Sequence, residues 1–317
     1  MTKSLASVLA LSASLATGVV FAQNAPAGGA CGYALRIATG DQKGTYSQVF
    51  KNIQNVCPLA CEDMQTSGGF DNIMRLITGK ADAGIAQVDA LDFLKRVDPR
   101  VLKLRSLVAL HTNSMHIIVS AQGVKPEGSG WNPLASKVVI DNLRQLRGKK
   151  VALFGSAQVT ALIVSERLQL GFITVDVATK EDGLAKVKSG EVAAMLAMGG
   201  QPIGWVEQLS KAEYSLATSE VGDITTLGTP YFNTKLSYPN LNKFGVNSVT
   251  VRNDLVTRDF TGPKANALSE LRSCMATKLQ DIKEGNGAHA AWGDVEDLNA
   301  TGWEKYKAPL DPASKRK

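Results

Sequence analysis

The sequence predicts an α/β protein built as two similar lobes. Three observations carry that prediction. Short apolar runs alternate with amphipathic ones from Tyr33 to Ala86, the same alternation returns from Lys150 to Ala197, and a β-branched run followed by a Pro-opened helix brings the chain back at its end.

The chain opens on Lys3 and then on an uncharged apolar run, Leu5 to Phe21, with Val20 and Ala22 as the small side chains that a signal peptidase reads. Residues 1–22 are therefore expected to be a secretory signal cut before Gln23. A membrane anchor is the competing reading, but a spanning helix wants about 20 strongly apolar residues. Ser7, Ser12, Ser14, Thr17 and Gly18 dilute this run. Cys31 follows Gly28-Gly29-Ala30, well past the apolar stretch, and is not a lipoprotein cysteine. Residues 23–32 form a flexible leader of Ala, Gly and Pro. The expected product is a soluble periplasmic protein.

Tyr33–Ala38 reads as a buried strand, Thr45–Val56 as a helix capped at Thr45, Glu62–Thr66 as a strand, Asp71–Thr78 as a helix and Ala83–Ala86 as a strand. The second half runs Lys150–Phe154 strand, Gln158–Leu170 helix, Val175–Ala178 strand, Glu181–Ser189 helix, Ala193–Ala197 strand. The phrase Leu76-Ile77-Thr78-Gly79-Lys80-Ala81-Asp82-Ala83 is answered by Val187-Lys188-Ser189-Gly190-Glu191-Val192-Ala193. In both, a glycine takes the left-handed conformation that stops a helix, and a strand follows at once. Gly123–Pro133 reads as a surface excursion. Val246–Asn253 is a returning strand, and Pro263 opens a last helix through Glu284, stopped by Gly285. Lobe one is thus expected over 33–114 plus 253–317, and lobe two over 115–252.

A formal charge of +6 in 317 residues is spread along the chain, and its one dense cluster is the terminal Lys315-Arg316-Lys317. That cluster reads as a solvated tail. No nucleic-acid partner is expected, and the protein is expected to be a monomer. The four cysteines, Cys31, Cys57, Cys61 and Cys274, favour disulfides in an exported chain. The favoured pairing is Cys31 with Cys274 and Cys57 with Cys61, because a short loop closes easily; Cys31 with Cys57 competes. A zinc site would need a second ligand pair, and His111, His116 and His289 are scattered. No metal and no cofactor are expected.

In open α/β sheets, ligands sit beyond the carboxyl ends of the strands. This sequence places polar loops there: Thr39 to Tyr46, Ser67 to Phe70, Gln87 to Asp89, Gly155 to Thr160 and Met198 to Pro202. Several run into helix N-termini, whose N–H groups attract anions. Enzyme signatures are missing: no G-x-S-x-G, H-E-x-x-H or G-x-G-x-x-G occurs, and Lys43 precedes Gly44 in the wrong order for a phosphate loop. Asp89 with Asp92, and Glu62 with Asp63, read as solvated charge. His111 and His116 flank a hinge strand, where either a ligand contact or a hydrogen-bonded structural role is open to them. No enzymatic activity is expected.

Ile37-Ala38-Thr39-Gly40, Lys43-Gly44-Thr45-Tyr46, Thr66-Ser67-Gly68-Gly69 with Asp71-Asn72, and Gly79-Lys80-Ala81-Asp82-Ala83-Gly84-Ile85-Ala86-Gln87-Val88-Asp89-Ala90 resemble the TAXI family. These are the solute-binding subunits of TRAP transporters. Leu146-Arg147-Gly148-Lys149-Lys150-Val151 is similar to the strand that opens lobe two in type II periplasmic binding proteins. The resemblance spans Leu35 to Met198. It implies a type II periplasmic binding protein fold, two α/β lobes joined by a hinge, that closes on a small solute and delivers it to a TRAP-type membrane permease. The implied solute is an organic acid or an amino acid. By match, Thr45, Tyr46, Ser67, Gly68 and Gln87 line the cleft. Strand-end position adds Thr39, Gly40, Gln158, Thr160 and Gly199. The lobe-two loop departs from the family pattern: Ala157-Gln158-Val159-Thr160-Ala161 lacks its glycines and has no basic side chain, so recognition would rest on neutral donors. A sensor module presenting ligand to a membrane receptor is the main alternative, and a periplasmic enzyme on the same fold is a weaker one.

Overall fold

The computed structural model describes residues 35–57, 61–125 and 136–307. The expected signal, the leader, Cys31, most of the Gly123–Pro133 excursion and the basic tail lie outside the described residues. The elements in chain order are β1 Leu35–Ala38, α1 Thr45–Val56, β2 Cys61–Met64, α2 Gly69–Ile77, β3 Ala83–Gln87, α3 Val88–Leu94 and β4 Leu104–Ser120. The middle of the chain supplies β5 Lys150–Phe154, α4 Ala157–Arg167, β6 Ile173–Asp176, α5 Lys180–Ser189, β7 Ala194–Gly199, β8 Tyr214–Ala217, α6 Val221–Leu227 and β9 Phe232–Tyr238. β10 Lys243–Arg258, α7 Pro263–Thr277 and α8 Leu279–Glu284 complete it.

One sheet runs through the molecule in the order β2-β1-β3-β10-β4-β7-β5-β6, with β8 pairing β4 and β9 pairing β10. The outer trios are parallel: β1 lies between β2 and β3, and β5 lies between β6 and β7. Two long antiparallel strands, β4 and β10, run between them. Along β10, the partner is β9 from Lys243 to Thr250 and β3 from Asn253 to Thr257. Along β4, the partner β7 begins at Ser114. Each long strand therefore leaves one α/β lobe and enters the other. This is the type II periplasmic binding protein fold, two α/β lobes joined by a pair of crossing strands.

The helix-stopping glycines behave as the repeat implied. Gly79 and Gly190 have φ of +75° and +79°, and their N–H groups bond back to Leu76 O and Val187 O. Three details differ from expectation. Gly44, not Thr45, is the N-cap of α1. The last helix breaks at Lys278, so that α8 turns to pack on α1 and on the segment around Trp292. And Cys57 is joined to Cys274, with Cα atoms 5.9 Å apart, which corrects both favoured pairings, Cys57 with Cys61 and Cys31 with Cys274, and the competing Cys31 with Cys57. Cys57 ends α1 facing the α7 side of the core, among Ile53, Leu271 and Met275, whereas Cys61 opens β2 opposite Leu35.

Each lobe has its own apolar centre. Leu35, Ile37, Phe50, Ile53, Leu268 and Trp292 fill lobe one, and Ala152, Val187, Met195, Tyr214 and Tyr238 fill one side of lobe two. A third cluster joins the lobes, running from Ile73, Leu76 and Leu91 to Val151, Leu153 and Val164. Among the described residues no helix is long and apolar enough to cross a membrane.

Candidate functional site

The carboxyl ends of the parallel strands in both lobes open on one cleft of about 480 Å³. Lobe one lines it with Gly40, Asp41, Gly44, Thr45, Tyr46 and Thr66 to Phe70; lobe two with Phe154 to Ser156, Gln158, Val177, Ala178, Met198 and Gly199; the crossing strand β4 with Asn113.

Three helices begin at this cleft: α1 after Gly44, α2 after Gly68 and α4 after Ser156. None of the three has a side-chain cap. An uncapped first turn keeps its N–H groups and positive dipole end available to a ligand anion. Gly68 makes the α2 turn possible, since its φ of +117° is closed to ordinary side chains. The lobes already touch there: the Gly69 N–H donates to Ser156 Oγ across the cleft at 3.5 Å.

Asn72 holds the lobe-one loops in place. Its buried Nδ2 donates to Thr39 O at 2.6 Å and to Ile85 O at 2.7 Å, tying the ends of β1 and β3, while the Thr66 hydroxyl donates to its Oδ1 at 2.6 Å. The Tyr46 ring forms the floor. Its hydroxyl donates to Asn253 Oδ1 at 2.7 Å and accepts from Asn113 Nδ2 at 3.1 Å. Asn253 Nδ2 in turn donates to His111 O at 3.0 Å. This chain orients every amide. With Asn253 committed to His111 O, the tyrosine proton must point to Asn253, and Asn113 must turn its NH₂ to Tyr46. Asn113 Oδ1 is then left as a buried acceptor with no hydrogen bond among the described residues, beside the equally buried and unbonded ring of His111.

The cleft carries little charge. Among the described residues, Asp41, exposed, is the one carboxylate in its lining, and no Lys or Arg lines it. Burial pushes His111 down to about 3 and His116 down to about 4, so neither is a cation at neutral pH. Burial likewise holds the Tyr46 phenol far above its ordinary range, so it remains a neutral donor. His116 is structural, bonded to Ser114 O and to the Tyr238 hydroxyl at 2.9 and 2.8 Å.

Of the residues expected in the site, Gly40, Thr45, Tyr46, Ser67, Gly68, Gln158 and Gly199 line the cleft. Thr39, Gln87 and Thr160 do not. Thr39 is buried beneath it, donating to Asp63 Oδ1 at 2.5 Å. Gln87 and Thr160 meet each other between the lobes, where Gln87 Nε2 donates to Thr160 Oγ1 at 3.1 Å. The centre of that contact is Asp89. Read from sequence as solvated, it is instead 1% exposed. It accepts from the Thr160 hydroxyl at 2.6 Å and from the Tyr231 hydroxyl at 3.0 Å, both from lobe two, and from the Ala90 N–H at 2.8 Å. Burial raises its pKa, and the Thr160 and Tyr231 hydrogen bonds work against that rise. Sequence reasoning missed Asn113, Phe70 as an apolar wall, and Phe154. The signal for Asn113 was present: Thr112-Asn113-Ser114 is a polar triplet inside a long apolar run.

No protein-family model matches the chain, and no curated protein matches it. Among solved structures, it is similar to Tv2483 bound to L-arginine, at 13% identity over 83% of this chain and 92% of that one, with a TM-score of 0.48. It is similar to XAC2383 from Xanthomonas citri bound to chloride ion, at 15% identity over 89% and 94%, with a TM-score of 0.48. A histidine kinase sensor domain with similarity to periplasmic binding proteins matches at 13% identity over 84% and 97%, with a TM-score of 0.46. At these values the likenesses carry no argument about ligand or activity.

Proposed function

We propose that the protein is a solute-binding protein of the periplasm, which captures a small carboxylate-bearing solute by closing its lobes and hands it to a TRAP-type membrane permease. One observation carries the reading. Three uncapped helix N-termini, two from lobe one and one from lobe two, open on one cleft that, among the described residues, has no cationic side chain. A carboxylate bridging them gains backbone hydrogen bonds from both lobes at once, so its affinity is higher for the closed form than the open one, and that difference drives closure. The two crossing strands supply the hinge. Permease delivery follows from the TAXI resemblance of the first third of the chain, and export from the expected signal over 1–22. The cleft offers neutral donors and no nucleophile–base pair, which supports binding without catalysis.

Calorimetry against organic acids, amino acids and neutral solutes tests the ligand class. Binding is expected among the carboxylates, with a radius of gyration in small-angle scattering that falls on saturation. Binding restricted to neutral or cationic solutes contradicts the reading.

A further inference from the structure

The lining of the cleft is divided by chemistry. Lobe one and the hinge supply mainly polar groups: glycines, hydroxyls, the exposed Asp41 and Asn113. Lobe two supplies, beside Gly155 and Ser156, an apolar wall built from the ends of three adjacent parallel strands. Met198 stands at the end of β7, Phe154 at the end of β5 and Val177 just past β6. The wall is set firmly: Phe154 packs edge-on against Trp205, with ring centroids 6.2 Å apart. Phe70, 45% exposed in the first turn of α2, adds a third aromatic ring, after Phe154 and Tyr46, to the same cleft. A second carboxylate, or a cationic side chain, would meet no counter-charge on that wall and would lose its hydration there.

We infer that the cleft selects a monocarboxylate with an apolar, ring-sized body and a hydrogen-bond donor beside the carboxylate, and that it discriminates against dicarboxylates. The inference rests on the solute-binding reading above and specifies its ligand. The carboxylate belongs where α2 and α4 begin and Gly69 meets Ser156. The apolar body lies on Phe154, Val177 and Met198. The donor, a hydroxyl or an ammonium group, answers Asn113 Oδ1, a buried acceptor oriented by Tyr46 and Asn253 that makes no hydrogen bond among the described residues. Without such a donor that acceptor is left to the neutral His111 ring beside it, which makes no hydrogen bond to it here.

The test is calorimetry of the exported full-length protein with 3-phenyllactate, L-phenylalanine, 3-phenylpropanoate, succinate and L-glutamate. At least one of the first two is expected to bind, about tenfold or more tighter than succinate or glutamate. 3-Phenylpropanoate, which lacks the donor, should be weaker than the better of the two by roughly two- to tenfold. The pair also separates a hydroxyl from an ammonium group. Phe70→Ser, at an exposed position that folding tolerates, and Phe154→Ser should both weaken the aromatic acid and leave the dicarboxylates unimproved. Succinate or glutamate binding as tightly as the aromatic acids overturns the inference while leaving solute binding intact. Circular dichroism of a folded protein that binds no member of the panel, nor any other carboxylate, overturns both.

Discussion

The Tyr46 hydroxyl donates to Asn253 Oδ1 at 2.7 Å, and this bond joins the first helix of lobe one to the strand returning from lobe two. Asn113, on the other crossing strand, donates to the Tyr46 hydroxyl oxygen. The cleft floor and the hinge are therefore one hydrogen-bonded unit. Tyr46→Phe removes the shared oxygen and leaves a buried acceptor on Asn253 and a buried donor on Asn113. A loss of about 1–3 kcal/mol is expected in urea unfolding, with weaker ligand binding. Unchanged stability would mean that water replaces the hydroxyl without cost.

Thr160→Val tests the contact between the lobes at Asp89. The change keeps the shape of the side chain and deletes the donor 2.6 Å from the carboxylate. Asp89 already has a raised pKa because burial disfavours its charge, and the lost bond was one that opposed this. The charged form is the one that suffers, so the deficit should be larger at about pH 8 than at about pH 5. A deficit of about 1–3 kcal/mol at the higher pH is expected. Equal deficits at both would contradict the assignment.

Asp254 makes a second prediction about pH. It is fully buried on β10, and burial raises its pKa to about 6, against a hydrogen bond from Thr301. The native state therefore binds this proton at a pH where the unfolded chain has released it. The contribution of Asp254 to stability falls as pH rises from about 4 through about 6. Asp254→Asn should match the parent near pH 4 and exceed it by about 1–3 kcal/mol near pH 8. Denaturant melts at the two values decide it. A variant less stable at the higher pH would show that the charged carboxylate is favourably held.

Peptide mapping without reduction should recover a peptide pair joined through Cys57 and Cys274. The bond closes a loop spanning 217 residues, so Cys274→Ser should cost about 2–5 kcal/mol. Recovery of Cys57 joined to Cys61 would contradict the approach of the end of α1 to Cys274 on α7.

Much of the fold is legible in the sequence because βαβ units announce themselves by changes of period, and Gly79 and Gly190 mark where helices must stop. The long crossing strand β4 is harder to see. It is buried along nearly its whole length, so it shows no alternation, and Thr112-Asn113-Ser114 interrupts it with residues typical of turns. α3 is hidden for another reason: it starts at Val88, directly after Gln87, with no turn residue to signal the change. For the site, strand-end reasoning finds loops that line the cleft, and it also names side chains that lie outside the lining. It cannot tell that Thr160 lies one turn into α4, facing Asp89 and not the cleft. Nor can it see Asp89 as buried, because two hydroxyls distant in sequence, those of Thr160 and Tyr231, are what make the burial tolerable. The Cys57–Cys274 bond is illegible for the same reason.

The central claim is that the cleft between the lobes holds a small carboxylate. Mass spectrometry of protein purified from the periplasm, under native and then denaturing conditions, tests it most directly. The account predicts one small molecule per chain, bearing a carboxyl group, bound in the native spectrum and released on denaturation. A released solute without a carboxyl group would contradict it, as would a folded protein that leaves the periplasm empty and takes up nothing from a periplasmic extract.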